Sequence, residues 1–242
     1  MRRIRIFVDA PLEPGTQAAL PEPAVQHVVR VLRLQAGDAI VLFNGDGHDY
    51  QARLGATGKR DASAEVLQRV PPAATESPLR ITLAQAIARG EKMDWILQKA
   101  TELGVAAIVP LASERTDVRL DAERAGKRLA HWRGVLESAC EQCGRATVPE
   151  LAPPTPLEHF AAAANGRRWV LDPEAGGSIR AIEPEGVVTI AIGPEGGWSE
   201  RELELLRVAG FGGLRLGPRV LRTETAGLAA IAALQALRGD LG

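Results

Sequence analysis

The residues best suited to chemistry lie in two turns near the end of the chain. The first, Gly193-Pro194-Glu195-Gly196-Gly197, follows the apolar run Val187-Val188-Thr189-Ile190-Ala191-Ile192 and precedes Trp198-Ser199. Glycines allow a ligand to approach the main chain, and a helix beginning just after the turn offers unpaired N–H groups. The second is Leu216-Gly217-Pro218-Arg219-Val220-Leu221-Arg222-Thr223-Glu224-Thr225-Ala226, which crowds polar groups where a simple turn needs only a cap. Neither turn is the G-x-G-x-x-G dinucleotide fingerprint, and neither is a phosphate loop ending in Lys-Ser or Lys-Thr. Together they suggest one ligand held mainly by backbone. Two further segments fall where ligands gather, at the carboxyl ends of strands in an open sheet. These are Arg115, just past the strand 105–111, and Leu171-Asp172-Pro173-Glu174, at the end of the strand 168–171.

Positioning these turns requires an α/β framework. Residues 187–192 read as a buried strand, and Ser199 with Glu202 forms a capping box that starts a helix. A short strand, 214–216, should lead into the second turn, and a final helix should run over 224–238. Upstream, 79–84 and 105–111 read as strands. Between them Met93, Ile96, Leu97 and Ala100 share a helical face, and Gly104 ends that helix. Such alternation argues for a parallel sheet covered by helices. A long helix should begin at Asp121 and bury Ala125, Leu129, Trp132, Leu136, Ala139/Cys140 and Cys143, with Gly144 stopping it. A short helix over 157–164, with Thr155 as a possible cap, should follow the proline-rich connection 149–156. In the final helix Ala226, Gly227, Ala229, Ala230 and Ala233 permit close backbone approach, although high helix propensity explains the alanines equally well.

Residues 1–75 look mostly β, with strands expected at 3–8, 39–43, 50–54 and 64–70 and a turn at Asn44-Gly45-Asp46-Gly47. The exception is 23–34, where Val25, Val28, Val29 and Leu32 follow helical spacing. Three prolines in nine residues, 70–78, mark a linker. We therefore expect a small barrel over 1–72 and an α/β domain over 73–242.

The 242 residues are 45% hydrophobic and 24% charged, as in soluble globular proteins, and are enough for a substantial core. No apolar run approaches membrane-spanning length and no signal-peptide pattern opens the chain, so a cytoplasmic protein is expected. A net charge of −1 does not by itself suggest a nucleic-acid partner. Cys140 and Cys143 invite a metal or redox reading, but a zinc site needs four ligands and redox pairs sit at helix N-termini. At the C-terminal end of an apolar stripe they read as core, and no metal is expected.

The two turns as a pair resemble the knotted SPOUT methyltransferases. Among these the chain is most similar to the ribosomal RNA small subunit methyltransferase E family, over nearly its whole length. Gln98-Lys99-Ala100-Thr101-Glu102-Leu103-Gly104-Val105, Ser113-Glu114-Arg115 and Glu141-Gln142-x-Gly144-Arg145 match that family as well. In the first 72 residues the match is carried by His27-x-x-x-Val31-Leu32-Arg33-Leu34-x-x-Gly37-Asp38 and the Asp46-Gly47 turn.

The resemblance implies a trefoil-knotted α/β domain with a parallel sheet, preceded by a PUA-like RNA-binding β-barrel. It implies a homodimer that binds S-adenosyl-L-methionine and methylates N3 of a uridine in 16S ribosomal RNA, on the assembled small subunit. Cofactor contacts are then expected from Leu171, Asp172, Gly193, Pro194, Glu195, Gly196, Gly197, Leu216, Gly217, Arg219, Leu221 and Thr225. Glu195 could instead bond the turn's own N–H groups. Arg115, Arg145 and Arg222 would stabilise a uracil anion, and Glu224 or Glu141 would take its proton. Arg30, Arg33, Glu141 and Gln142 would face RNA, although a solvated helix face explains Arg30, Arg33 and His27 equally well. Two alternatives stand beside this reading: another kind of nucleotide-binding α/β enzyme, and a non-catalytic RNA-binding or ribosome-assembly protein.

Overall fold

The computed structural model describes residues 4–58, 61–116, 122–181 and 186–242. The expected helix start at Asp121, and Arg3 of the first expected strand, lie outside them. The chain forms two compact units. One comprises 1–76 with 137–148, and the other 77–136 with 149–242.

In the first unit, β1 (Arg5–Phe7), β2 (Gln17–Ala19), β3 (Ala39–Phe43), β4 (Asp49–Thr57) and β5 (Ala62–Val70) make a sheet of order β1-β3-β4-β5-β2. Pairing is antiparallel except between β1 and β3. Alternating residues, among them Ile40, Leu42, Ala52, Leu54, Ala64 and Val66, bury one face of this curled sheet in a common core. Helix α1 (Glu22–Gln26), inserted between β2 and β3, adds Val25 to that core.

Where one continuous helix was expected over 23–34, α1 passes into a π-helical turn, His27–Val31. The wider turn still buries Val28 but leaves Val31 and Leu32 exposed. Arg33 ends it at φ 54°, the one non-glycine residue with positive φ among those described. Leu34 N–H closes the end by donating to Val28 O at 2.9 Å. An arginine thus occupies the left-handed position that usually falls to glycine.

Residues 137–148 complete this unit. Cys140 and Ala146 pack with Phe43, flanked by Phe7 and Val148. Beside them lies a buried polar group. Arg5 pairs with Asp49, donates to Arg145 O at 2.9 Å, and stacks 4.7 Å over the Phe43 ring. Asp49 also accepts from Ala73 N–H at 3.1 Å. The Cys140 thiol is pushed up, first by its hydrogen bond with Cys143 and then by burial. A protonated thiol in such a place is packing material, not a nucleophile.

The second unit is built on a parallel sheet. Its elements are β6 (Arg80–Ala86), α2 (Lys92–Glu102), β7 (Ala107–Ala112), α3 (Ala122–Cys143, whose last two turns belong to the first unit), β8 (Glu150–Leu151), β9 (Thr155–Pro156), α4 (Leu157–Ala163), β10 (Arg167–Leu171), β11 (Gly177–Ser178), β12 (Val187–Ile192), α5 (Glu200–Val208), β13 (Gly212–Arg215) and α6 (Thr223–Arg238). Strand order is β11-β13-β10-β12-β6-β7-β8, with β9 also pairing β7.

The central strands are apolar on both faces, as a sheet covered on both sides requires. Ala84, Val170 and Ala191 turn to one side, where Leu157 and Phe160 of α4 and Leu206 of α5 cover them. Leu83, Gln85 and Ile192 turn to the other side. There they stand 3.3–3.4 Å from where a side chain on Gly227 would begin. That closeness suits a glycine in α6, since a side chain here would make these neighbours yield by a few tenths of an ångström. Trp132, Leu136, Ala139 and Cys140 form the buried stripe of α3, and Gly144, at φ 96°, ends it. Thr155 does not cap α4. It lies in β9, its hydroxyl donates to Pro153 O at 2.7 Å, and Pro156 precedes the helix without a side-chain cap.

A candidate cofactor cleft at the sheet edge

Because β13, β10 and β12 are parallel neighbours, the segments that follow them leave from one edge of the sheet. The chain continues from β10 with β12 on one side and β13 on the other, the reversal at which open α/β sheets form a crevice. A cleft of about 660 Å³ opens there. Its walls come from 171–174, 192–198, 214–216 and 219–223, with Arg115 from the loop after β7, Glu200 and Leu203 from α5 and Ala226 from α6. A volume of this size suits a ligand as large as a nucleoside with a substituent.

Hydrogen bonds fix each wall to its neighbours. Thr223, buried at the start of α6, donates its hydroxyl to Gly193 O at 2.6 Å and accepts from Gln85 Nε2 at 2.9 Å. One side chain therefore joins both turns to the middle of the sheet. Arg115 donates Nη1 to Gly196 O at 2.9 Å and to Trp198 O at 3.2 Å. Ser199 Oγ and Glu202 N–H lie 3.1 Å apart in the capping box, and Glu202 Oε2 takes Ser199 N–H at 2.9 Å. The other carboxylate oxygen of Glu202 accepts from Glu114 N–H at 2.8 Å. Asp172 Oδ1 accepts from Glu174 N–H at 2.9 Å, which rounds off the turn after β10.

Glycine suits two places in this wall, one by close packing and one by backbone conformation. A side chain on Gly193 would meet the Trp198 ring at 3.2 Å, and Gly197 sits at φ 68°. The Trp198 indole N–H is buried without a hydrogen-bond partner among the described residues.

Of the expected cofactor residues, the cleft is lined by Leu171, Asp172, Gly193 through Gly197, Leu216, Arg219 and Leu221, while Gly217 and Thr225 are not part of the lining. Glu195 directs its carboxylate to the start of α2, where Oε1 accepts from Arg89 N–H at 3.3 Å and Lys92 Nζ at 3.2 Å. Burial alone would raise this carboxyl, but hydrogen bonds from its own and Arg89's N–H, together with the Lys92 charge, bring it below the ordinary value.

Among the expected catalytic residues, Arg115 and Arg222 line the cleft. Arg222 is exposed, and no carboxylate among the described residues pairs with it. Glu224 follows in the first turn of α6, its Oε2 3.8 Å from Lys92 Nζ. Arg145 belongs to the first unit. It is buried, and its guanidinium grips Glu76 through Nε at 3.0 Å and Nη2 at 2.5 Å. Glu141, in the same unit, accepts from Phe7 N–H at 3.0 Å, and burial raises its carboxyl despite that bond and the nearby His27 and Arg5. Gln142, Arg30 and Arg33 are exposed.

Lys92 and Gln85 are absent from the sequence-based expectations. Gln85 had a signal, an amide in the middle of an apolar strand. So did Lys92, a cation at the first residue of a helix, where the macrodipole disfavours positive charge. Among the described residues no cluster of His, Cys, Asp and Glu could hold a metal ion, and no helix is long and apolar enough to cross a membrane.

Known proteins match this chain along its full length. Residues 75–235 fit the RNA methyltransferase domain family and residues 20–67 the RNA methyltransferase PUA domain. A ribosomal RNA small subunit methyltransferase E from Buchnera aphidicola is 34% identical, over 98% of this chain and 97% of its own. The Bacillus subtilis protein of the same name is 33% identical, over 95% of each. This chain belongs to the ribosomal RNA small subunit methyltransferase E family.

Solved structures agree with that placement. A methyltransferase from Legionella pneumophila in complex with SAM superposes with a TM-score of 0.96 at 41% identity, covering all of both chains. A member of the family from Neisseria gonorrhoeae, bound to S-adenosyl methionine, gives 0.91 at 41% identity, again over all of both chains. The methyltransferase E fold is thus a PUA-like barrel followed by an α/β domain with a parallel sheet, and its cleft lies within the residues that match the methyltransferase domain.

Proposed function

We propose that the chain is an S-adenosylmethionine-dependent methyltransferase acting on N3 of a uridine in 16S ribosomal RNA, on the assembled small subunit. The observation that carries this reading is the cleft. It is enclosed by three turns at one sheet edge, in a chain 41% identical to structures that hold S-adenosyl methionine.

The lining suits that cofactor chemically. Leu171, Ile192, Leu214, Leu216 and Leu221 offer apolar surface for an adenine. Asp172, Glu174 and Glu200 supply carboxylates for ribose hydroxyls and for ammonium or sulfonium charge, and Arg215 and Arg219 supply partners for a carboxylate. We further propose that the turns are held in a trefoil knot and that the enzyme is a cytoplasmic homodimer whose barrel binds RNA through Arg30, Arg33 and Gln142.

Bound in the cleft, the cofactor supplies a methyl group on a sulfonium, with a neutral thioether as leaving group. The chain's task is the acceptor, because uracil N3 keeps its proton near neutral pH. Arg222, exposed in the cleft and unpaired with any carboxylate among the described residues, is placed to stabilise negative charge on the uracil oxygens. Arg115 supports it from the opposite loop while holding the glycine turn. Glu224 is our assignment for proton removal. Arg145, held by Glu76, is assigned in this reading a structural part in the barrel unit. Since N3 is hidden in duplex RNA, the uridine must be unpaired or extruded.

Calorimetric titration with S-adenosylmethionine tests the reading, with Gly197→Val as the comparison. A β-branched residue is strained at φ 68°, so the variant must reshape the turn. Binding by the wild type, weakened about fivefold or more in the variant by strain on the order of 1–3 kcal/mol, is the expected result. A folded wild type that binds no cofactor would overturn it. Methylation of small subunits, compared with free RNA, then tests the substrate.

A further inference from the structure

Lys92 opens α2, where its positive charge opposes the helix dipole. Its ammonium lies 3.2 Å from Glu195 Oε1 and 3.8 Å from Glu224 Oε2. These carboxylates come from different elements: Glu195 lines the cleft, and Glu224 lies beside it, outside the lining. Glu195 is in the glycine turn after β12, and Glu224 is in the first turn of α6, directly after the second turn. Arg89 N–H reinforces the first contact at 3.3 Å. Around this ion triad the turn has two other fastenings, Thr223 on Gly193 O and Arg115 on Gly196 O. Each of these grips the main chain from one side. Among the described residues, Lys92 is the group whose charge spans carboxylates from both turns.

We infer that Lys92 is a positioning residue, an ion clamp that holds the glycine turn and the start of α6 at the spacing at which they close on the cofactor. The inference rests on the proposed cofactor-binding function of the cleft. Lys92 is not part of the cleft's lining, so it acts through the two carboxylates and not by touching the ligand. With Lys92 removed, Glu195 and Glu224 face each other as like charges, and the turns part.

The test pairs two measurements on the full chain, carrying Lys92→Met, Lys92→Arg, Glu195→Gln and the double variant Lys92→Met/Glu195→Gln. The first is hydrogen exchange without ligand, read at the amides of 195–199 and 222–226 and compared with those of β6. The second is calorimetric titration with S-adenosylmethionine. In Lys92→Met the amides of both turns should exchange roughly fivefold faster, as for loss of a partly buried ion pair, with β6 unchanged. Cofactor affinity should fall by a similar factor, Lys92→Arg should restore both, and the double variant should lose less than the sum of the single ones.

Unchanged exchange at the two turns overturns the clamp. So does faster exchange that spreads equally into β6, because that marks general destabilisation. If the turns loosen but affinity holds, the role in ligand closure is overturned. If the wild type itself binds no S-adenosylmethionine, the functional reading falls, and the exchange data alone decide whether Lys92 joins the turns.

Discussion

Thr223 shows how much one hydroxyl can coordinate. It donates to Gly193 O at 2.6 Å and accepts from Gln85 Nε2 at 2.9 Å, from a buried position at the floor of the second turn. Thr223→Val keeps the shape and deletes both bonds, leaving the Gly193 carbonyl without its hydroxyl partner and the Gln85 amide with its bond to Ala86 O. We expect a loss of about 1–3 kcal/mol in denaturant unfolding, with weaker cofactor binding, and recovery of most of both in Thr223→Ser. Equal stability of the valine variant and the wild type would refute the assignment. The sequence placed Thr223 among the polar residues of the second turn but could not show its partners, which lie 30 and 138 residues away. The same holds for Lys92, whose pairing with Glu195 and Glu224 exists only once three separate elements meet. Glycines and caps act on their neighbours and can be read locally; long-range polar pairing cannot.

At the scale of elements, what reads well is what periodicity and turn chemistry control. The run 187–192 is a strand buried at every position after the first, and Ser199 with Glu202 forms the expected capping box. Parallel alternation also brings the turns after β10, β12 and β13 to one edge. The π-helical turn at His27–Val31 was hidden because Val25, Val28, Val29 and Leu32 suit an α-helix equally well. Thr155 had the chemistry of a cap, but two prolines beside it favour an extended chain, and it pairs in β9.

Glu202 is the element-scale residue with most at stake. It is 3% exposed, caps α5 and also holds Glu114 N–H, one residue from Arg115. Glu202→Ala should destabilise by about 1–2 kcal/mol, more than Ser199→Ala, because it removes a second fastening besides the cap. Thermal unfolding of the two variants side by side checks this ranking. If Ser199→Ala matched it, the bond to Glu114 would contribute nothing.

For the whole molecule, the question is whether the barrel is an autonomous domain. The linker prolines suggest a cut at residue 72, but the compact unit around the barrel also holds 73–76 and 137–148. Those segments bring Cys140 and Ala146 against Phe43, and Glu76 against Arg145. They also bring Ala73 N–H to Asp49 and Arg145 O to Arg5. A fragment ending at residue 72 would uncover Phe43 and leave the Arg5–Asp49 pair short of hydrogen bonds, and a buried pair with incomplete hydrogen bonding is a liability. We therefore expect residues 1–72 alone to unfold with a broad, weakly cooperative transition and to bind an apolar dye. Joining 137–148 to residues 1–76 through a flexible linker should restore a sharp transition. Near-ultraviolet circular dichroism and urea titration of both fragments distinguish the outcomes. Cooperative unfolding of 1–72 at the linked fragment's midpoint would show that the barrel needs nothing from the later segment. The expected result would mean that the end of α3 is a structural part of the barrel unit, and that the chain cannot be divided at its linker.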